Sequence, residues 1–121
     1  MSNESNRMEW IQKQLKKLPA GSRILDAGAG EQPHRPYCAH LNYVSQDFAQ
    51  YNPEKLDSGL QMEKWDYGKL DIISDITAIP EPDGSFDAIL CSEVFEHIPD
   101  PNAAVKEFSR LLRKGGTLIL T

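Results

Sequence analysis

The chain has 121 residues, a length that fits one domain, and 40% of them are hydrophobic, which excludes disorder by composition. A formal net charge of −5 argues against a nucleic-acid backbone as the main partner. No apolar run approaches membrane-spanning length and no charged-then-apolar leader opens the chain, so Cys38 and Cys91 are expected to be reduced thiols of a cytoplasmic protein.

Met1 to Asn6 are polar, and a frayed start is expected there. Met8, Ile11, Leu15 and Leu18 recur at helical spacing and predict a helix over 7–18, stopped by Pro19-Ala20-Gly21. Lys13, Lys16 and Lys17 form a basic cluster on it, read as a solvated face with docking as the alternative. Residues 1–22 therefore read as helix and lead-in, and 23–121 as one domain. Arg23 to Ala27 predicts a short buried strand that runs into the loop "GAGEQP". A short helix is expected within 36–40 and a second strand over 43–48. The segment 50–69 is turn-rich, with Asn52-Pro53, Ser58-Gly59 and Tyr67-Gly68, and Trp65 and Tyr67 are expected to pin it to the body.

A third strand is predicted over 70–74 and a loop over 80–85. Phe86 to Cys91 is an almost continuous apolar run, as in a strand covered on both faces. Asp100-Pro101 supplies a capping carboxylate and then proline at the first helical position. The helix that follows has Ala104, Phe108, Leu111 and Leu112 as its buried stripe. Arg113 and Lys114 suit its negative end, with Gly115 as a left-handed cap. A fifth strand is predicted over 117–121. Strands alternating with helices or loop-rich crossovers define an α/β fold with a doubly wound, mostly parallel sheet of five strands.

Gly28 and Gly30 follow a strand directly, where the backbone can approach a ligand. A dinucleotide fingerprint asks for a third glycine at position 33, and Pro33 stands there instead. Asp26 sits two residues before Gly28. Its carboxylate would repel a pyrophosphate and attract an ammonium or sulfonium, which favours S-adenosylmethionine over NAD. Asp47, about 20 residues beyond Gly28, is placed to accept from ribose hydroxyls. Asp75 can accept from the adenine amino group while Ile76 packs on the ring. Ala29, Phe48 and Cys91 complete the expected cofactor contacts.

With these residues in order, the chain resembles class I S-adenosylmethionine-dependent methyltransferases of the type 11 group. The likeness runs from about Arg23 to Thr121 and rests on Asp26, Gly28, Gly30, Asp47, Asp75, "FDAILCSEVFEHI" and "LLRKGGTLIL". Gln32 departs from it, because the family carries a glycine there. The resemblance implies methyl transfer to a small acceptor, with S-adenosylhomocysteine as product. It also implies further strands after the fifth, so an N-terminal portion of the domain is expected, with self-association through an exposed strand-five edge.

His97 is the candidate general base, with Glu93 and Glu96 nearby and a loop-end role as the alternative. His34, Cys38 and His40 lack a fourth ligand at useful spacing, so no metal is expected. A non-catalytic binding domain of the same fold stands as the second reading, and an NAD-binding oxidoreductase domain as the third.

Overall fold

A computed structural model describes residues 3–48 and 69–121. The expectations for Trp65 and Tyr67 lie outside the described residues. Helix α1 (Asn3–Lys17) begins earlier than its apolar spacing predicts and buries Ile11 and Leu15, one turn apart on the same face. Five strands follow: β1 (Arg23–Ala27), β2 (Asn42–Asp47), β3 (Ile72–Ile73), β4 (Phe86–Cys91) and β5 (Leu112–Leu120). They form one all-parallel sheet in the order β3-β2-β1-β4-β5. The chain builds outward from β1 in one direction and then returns to build β4 and β5 on the other side. The gap between β1 and β4 is therefore the switch point, where open sheets of this kind bind ligands at the carboxyl ends of their strands.

Alternation along the strands divides the core. Ile24, Ala88, Leu90 and Ile119 face Ile11 and Leu15 of α1. Leu25, Phe86, Ile89 and Cys91 face Phe108 and Leu111 of α2 (Pro101–Leu111). Covering on both faces explains why β4 reads as an almost continuous apolar run and why Ile24 and Leu25 of β1 are both buried. On β5, Leu118 and Leu120 remain exposed.

Three expectations need correction. The third strand is only two residues long, because side-chain bonds replace the ladder before it: the Asp71 carboxylate accepts from Ser45 N–H at 2.9 Å, and Asp71 N–H donates to Ser45 Oγ at 3.0 Å. Leu112 is not helical; the chain turns straight from α2 into β5. Gly115 does take a left-handed φ of +80°, but inside β5 rather than as a helix cap. There the register jumps from Phe86↔Leu112 to Ala88↔Thr117, so the extra residues of β5 bulge out, and Arg113 pairs with Asp87 at 2.7 Å instead of serving the helix end.

At its other end α2 is capped as predicted: Asp100 Oδ1 accepts from Ala103 N–H at 3.1 Å. Its Glu107 and Arg110 grip Ile79 from both sides. Ile79 N–H donates to Glu107 Oε2 at 2.6 Å, and Arg110 donates to the Ile79 carbonyl at 2.9 Å. This fixes the segment after β3 against α2.

Candidate functional site

The glycine loop leaves β1 and crosses the carboxyl ends of β2 and β4. Gly28 has φ +73°, and a Cβ there would come within 2.6 Å of Val94 Cγ2. Both conformation and space therefore demand glycine. Its N–H donates to Gln46 Oε1 at 3.0 Å, and the same Gln46 amide donates to the Ser74 carbonyl at 2.7 Å. One buried side chain thus ties the loop to the end of β3. Gly30 N–H donates to Asp47 Oδ2 at 2.8 Å, so this amide orients the carboxylate at the end of β2. Gln32, where a third glycine is usual, adopts φ +62° and holds that left-handed conformation while accepting from Arg35 at 2.9 Å.

Two cavities meet at Gly28. The larger, about 330 Å³, is lined by Asp47, Phe48, Asp75, Ile76 and His97 among others. No lysine or arginine lines it among the described residues. Phe48 is 51% exposed and offers an apolar surface beside Asp47. Asp75 is exposed, and Thr77 holds its Oδ1 through Oγ1 at 2.6 Å and N–H at 2.8 Å. Those two bonds keep its carboxyl below the usual range. His97 lies in a single 3₁₀ turn (Phe95–His97), with its side chain 76% exposed and Nε2 at 3.4 Å from Glu96 Oε1.

The smaller cavity, about 230 Å³, is lined by Arg7 and Met8 of α1, Asp26, Ala29, His34 and Glu93, with Gly28 as the shared wall. Asp26 is almost wholly buried, and Tyr43 Oη donates to its Oδ2 at 2.5 Å. Burial pushes the Asp26 carboxyl up to about 6; the Tyr43 bond opposes that rise, and the charge of Asp47 adds to it. Arg7 pairs with Glu93 at 3.2 Å, which joins α1 to the turn after β4. Glu93 takes φ +57°, a strained conformation for a residue with a side chain, at the rim of this cavity.

The structure brings Asp26, Gly28, Ala29, Asp47, Phe48, Asp75, Ile76 and His97 around these two cavities. Gly30 acts one step back, through Asp47. Cys91, expected among the cofactor contacts, is fully buried in the core beside Phe86 and Phe108, burial pushes its thiol up to about 12, and it lines neither of the two cavities. Cys38 is likewise buried, and no group of three or more metal-ligating side chains exists among the described residues. Lys13 and Lys16 line a separate groove between α1 and the 3₁₀ turn Arg35–Cys38, on which no site chemistry converges. Tyr43, Gln46 and Arg7 escape sequence reading. Parallel register sets Asp26 beside Ser45, two residues from Tyr43, and no local spacing signals that neighbour.

A family described as a methyltransferase domain matches residues 25–120. The chain is 36% identical over 125 residues to a ubiquinone biosynthesis O-methyltransferase of Xanthomonas axonopodis, covering 95% of this chain and 48% of that protein. A second such protein, from Xanthomonas oryzae, is 37% identical over 112 residues, covering 84% of this chain and 43% of its own length. The chain thus spans about half the length of the curated relatives it matches. Among solved structures, the YcgJ protein of Bacillus subtilis superimposes with a TM-score of 0.74 at 24% identity, covering 96% of this chain and 50% of that one. That likeness concerns the fold.

Proposed function

This chain belongs to the methyltransferase-domain family, and from that premise we propose that it holds S-adenosylmethionine across Gly28 and passes its methyl group to an oxygen of a small acceptor. The observation that carries the reading is the split of chemistry at Gly28. Among the described residues, the larger cavity offers apolar surface and carboxylates and no basic side chain, which suits a nucleoside and repels a pyrophosphate. The smaller holds the buried carboxyl of Asp26, the less buried carboxylates of Glu4 and Glu93 and the guanidinium of Arg7, a lining that suits the ammonium and carboxylate of an amino-acid end. The open space beside the Cα of Gly30 is consistent with a ligand crossing the loop. The residues present therefore fit this cofactor.

When bound, S-adenosylmethionine supplies a methyl group on a cationic sulfur, already activated for displacement, so the protein's share is alignment. Asp47, oriented by Gly30, would hold the ribose hydroxyls. Ile76 and Phe48 would offer apolar surface to the adenine, and Asp75, steadied by Thr77, would accept from its amino group. Asp26 would hold the ammonium and Arg7, which also pairs with Glu93, the carboxylate, with Gly28 as the wall between the two cavities.

An oxygen acceptor must lose a proton, and His97 is the imidazole that lines the larger cavity, steadied by Glu96. The O-methyltransferase names of the relatives support oxygen as the acceptor atom. Calorimetric titration tests the reading. S-adenosylhomocysteine binds saturably and NAD does not; preference for NAD would refute it. Labelled methyl transfer then reads the chemistry across oxygen, nitrogen and sulfur acceptors. His97→Asn lowers turnover and leaves S-adenosylhomocysteine affinity unchanged.

A further inference from the structure

His34 has no part in the function derived so far, yet its surroundings are unusual. Its side chain is 4% exposed, and Nδ1 has neither a partner nor contact with solvent. Among the described residues only one other buried side-chain atom, Ser85 Oγ, shares that condition. Folded proteins pair nearly all such atoms, so an exception calls for a reason. His34 opens the 3₁₀ turn after the glycine loop without capping it. His34 lines the smaller cavity together with Asp26, Glu4, Arg7 and Glu93.

The geometry points to His34 as a hydrogen-bonding group for the zwitterionic amino-acid end of the cofactor, acting beside Asp26; this rests on the proposed function. The chemistry agrees. Burial lowers the imidazole's proton affinity, so the ring is neutral at pH 7 and carries one N–H and one acceptor nitrogen. It can accept from an ammonium or donate to a carboxylate without adding charge to a cavity that already holds Asp26, Glu4, Arg7 and Glu93. A lysine there would compete for Asp26, and an aliphatic side chain would offer the ligand no hydrogen bond.

The test compares two ligands on the full chain by calorimetry. S-adenosylhomocysteine carries the amino-acid end; 5′-methylthioadenosine shares the nucleoside and the thioether but lacks it. His34→Phe weakens S-adenosylhomocysteine about tenfold or more, as expected for a lost hydrogen bond to a charged group, and changes 5′-methylthioadenosine less than about twofold. His34→Leu carries the same prediction with a smaller apolar side chain, should the phenyl ring not be accommodated. His34→Asn, which returns a polar group close to the position of Nδ1, recovers most of the loss. Equal losses for both ligands, or none for either, would overturn the inference. A wild-type chain that binds 5′-methylthioadenosine as tightly as S-adenosylhomocysteine would overturn it while leaving the nucleoside site standing. A wild-type chain that binds neither would overturn the proposed function itself.

Discussion

Asp26 and Asp75 are the same residue type at opposite ends of one site, and their surroundings drive them apart. Asp26 is buried at the smaller cavity and pushed up to about 6. Asp75 is exposed at the larger one and held below the ordinary range by its two bonds from Thr77. Burial that must be offset by a ligand's charge makes one end sensitive to pH. Hydrogen bonding to a turn makes the other indifferent to it. On the proposed function, one end would read charge, while the other would read shape and hydrogen-bond pattern.

The largest expected effect removes the comparison altogether. Gly28→Ala places a Cβ against Val94 in a backbone conformation that suits glycine, and Gly28 is the wall both cavities share. Binding of S-adenosylhomocysteine and of 5′-methylthioadenosine both fall on the order of a hundredfold in calorimetry, equivalent to roughly 3 kcal/mol. Adding Val94→Ala relieves the contact but not the strained φ, so recovery is partial.

Asp26→Asn separates the two ends. S-adenosylhomocysteine weakens about tenfold to a hundredfold, and 5′-methylthioadenosine is unaffected. Stability moves the other way. The folded pKa of Asp26 lies above its ordinary value of 3.8, so its stabilising contribution is complete below about pH 4 and is lost as pH rises to about 6. At pH 7 the ionised carboxylate costs the fold about 3 kcal/mol. Asp26→Asn should therefore raise the denaturation midpoint at pH 7 and confer little gain at pH 4. A variant less stable at pH 7 would contradict the assigned environment.

Tyr43→Phe sharpens the contrast. It removes the bond that lowers the Asp26 pKa, so the pH midpoint of S-adenosylhomocysteine binding moves above 6, and stability falls by about 1–2 kcal/mol in denaturant titrations. Asp75→Asn should have the smallest effect. Affinity for both ligands falls by roughly twofold to fivefold, equally at every pH from 5 to 8, because an exposed acceptor contributes little. A pH-dependent loss there would break the comparison.

The fold was legible where local chemistry decides it. The apolar run of β4, the Asp100-Pro101 helix start and the passage from β1 into the glycine loop each carry their own signal. The candidate site was legible for the same reason at Asp26, Gly28, Asp47 and Asp75, which the fold gathers around two adjoining cavities. The unread partners are set by register rather than spacing. Tyr43 reaches Asp26 across neighbouring strands, Gln46 bridges Gly28 and Ser74, and Arg7 arrives on a helix from earlier in the chain. At Cys91 an apolar strand end beside a site resembles a lining position, while the pleat turns that side chain toward α2. Gly115 misled because one left-handed glycine serves a bulge as well as a helix end.

The central claim is that this site has a charge-reading end at Asp26 and a nucleoside-reading end at Asp47 and Asp75. The most direct test is calorimetric titration with S-adenosylhomocysteine and 5′-methylthioadenosine from pH 5 to pH 8. The account predicts that S-adenosylhomocysteine weakens about tenfold for each pH unit below about 6 and levels off above about 7, as the ammonium requires an ionised Asp26, while 5′-methylthioadenosine stays constant throughout. Two parallel pH profiles, flat or falling together, would contradict it.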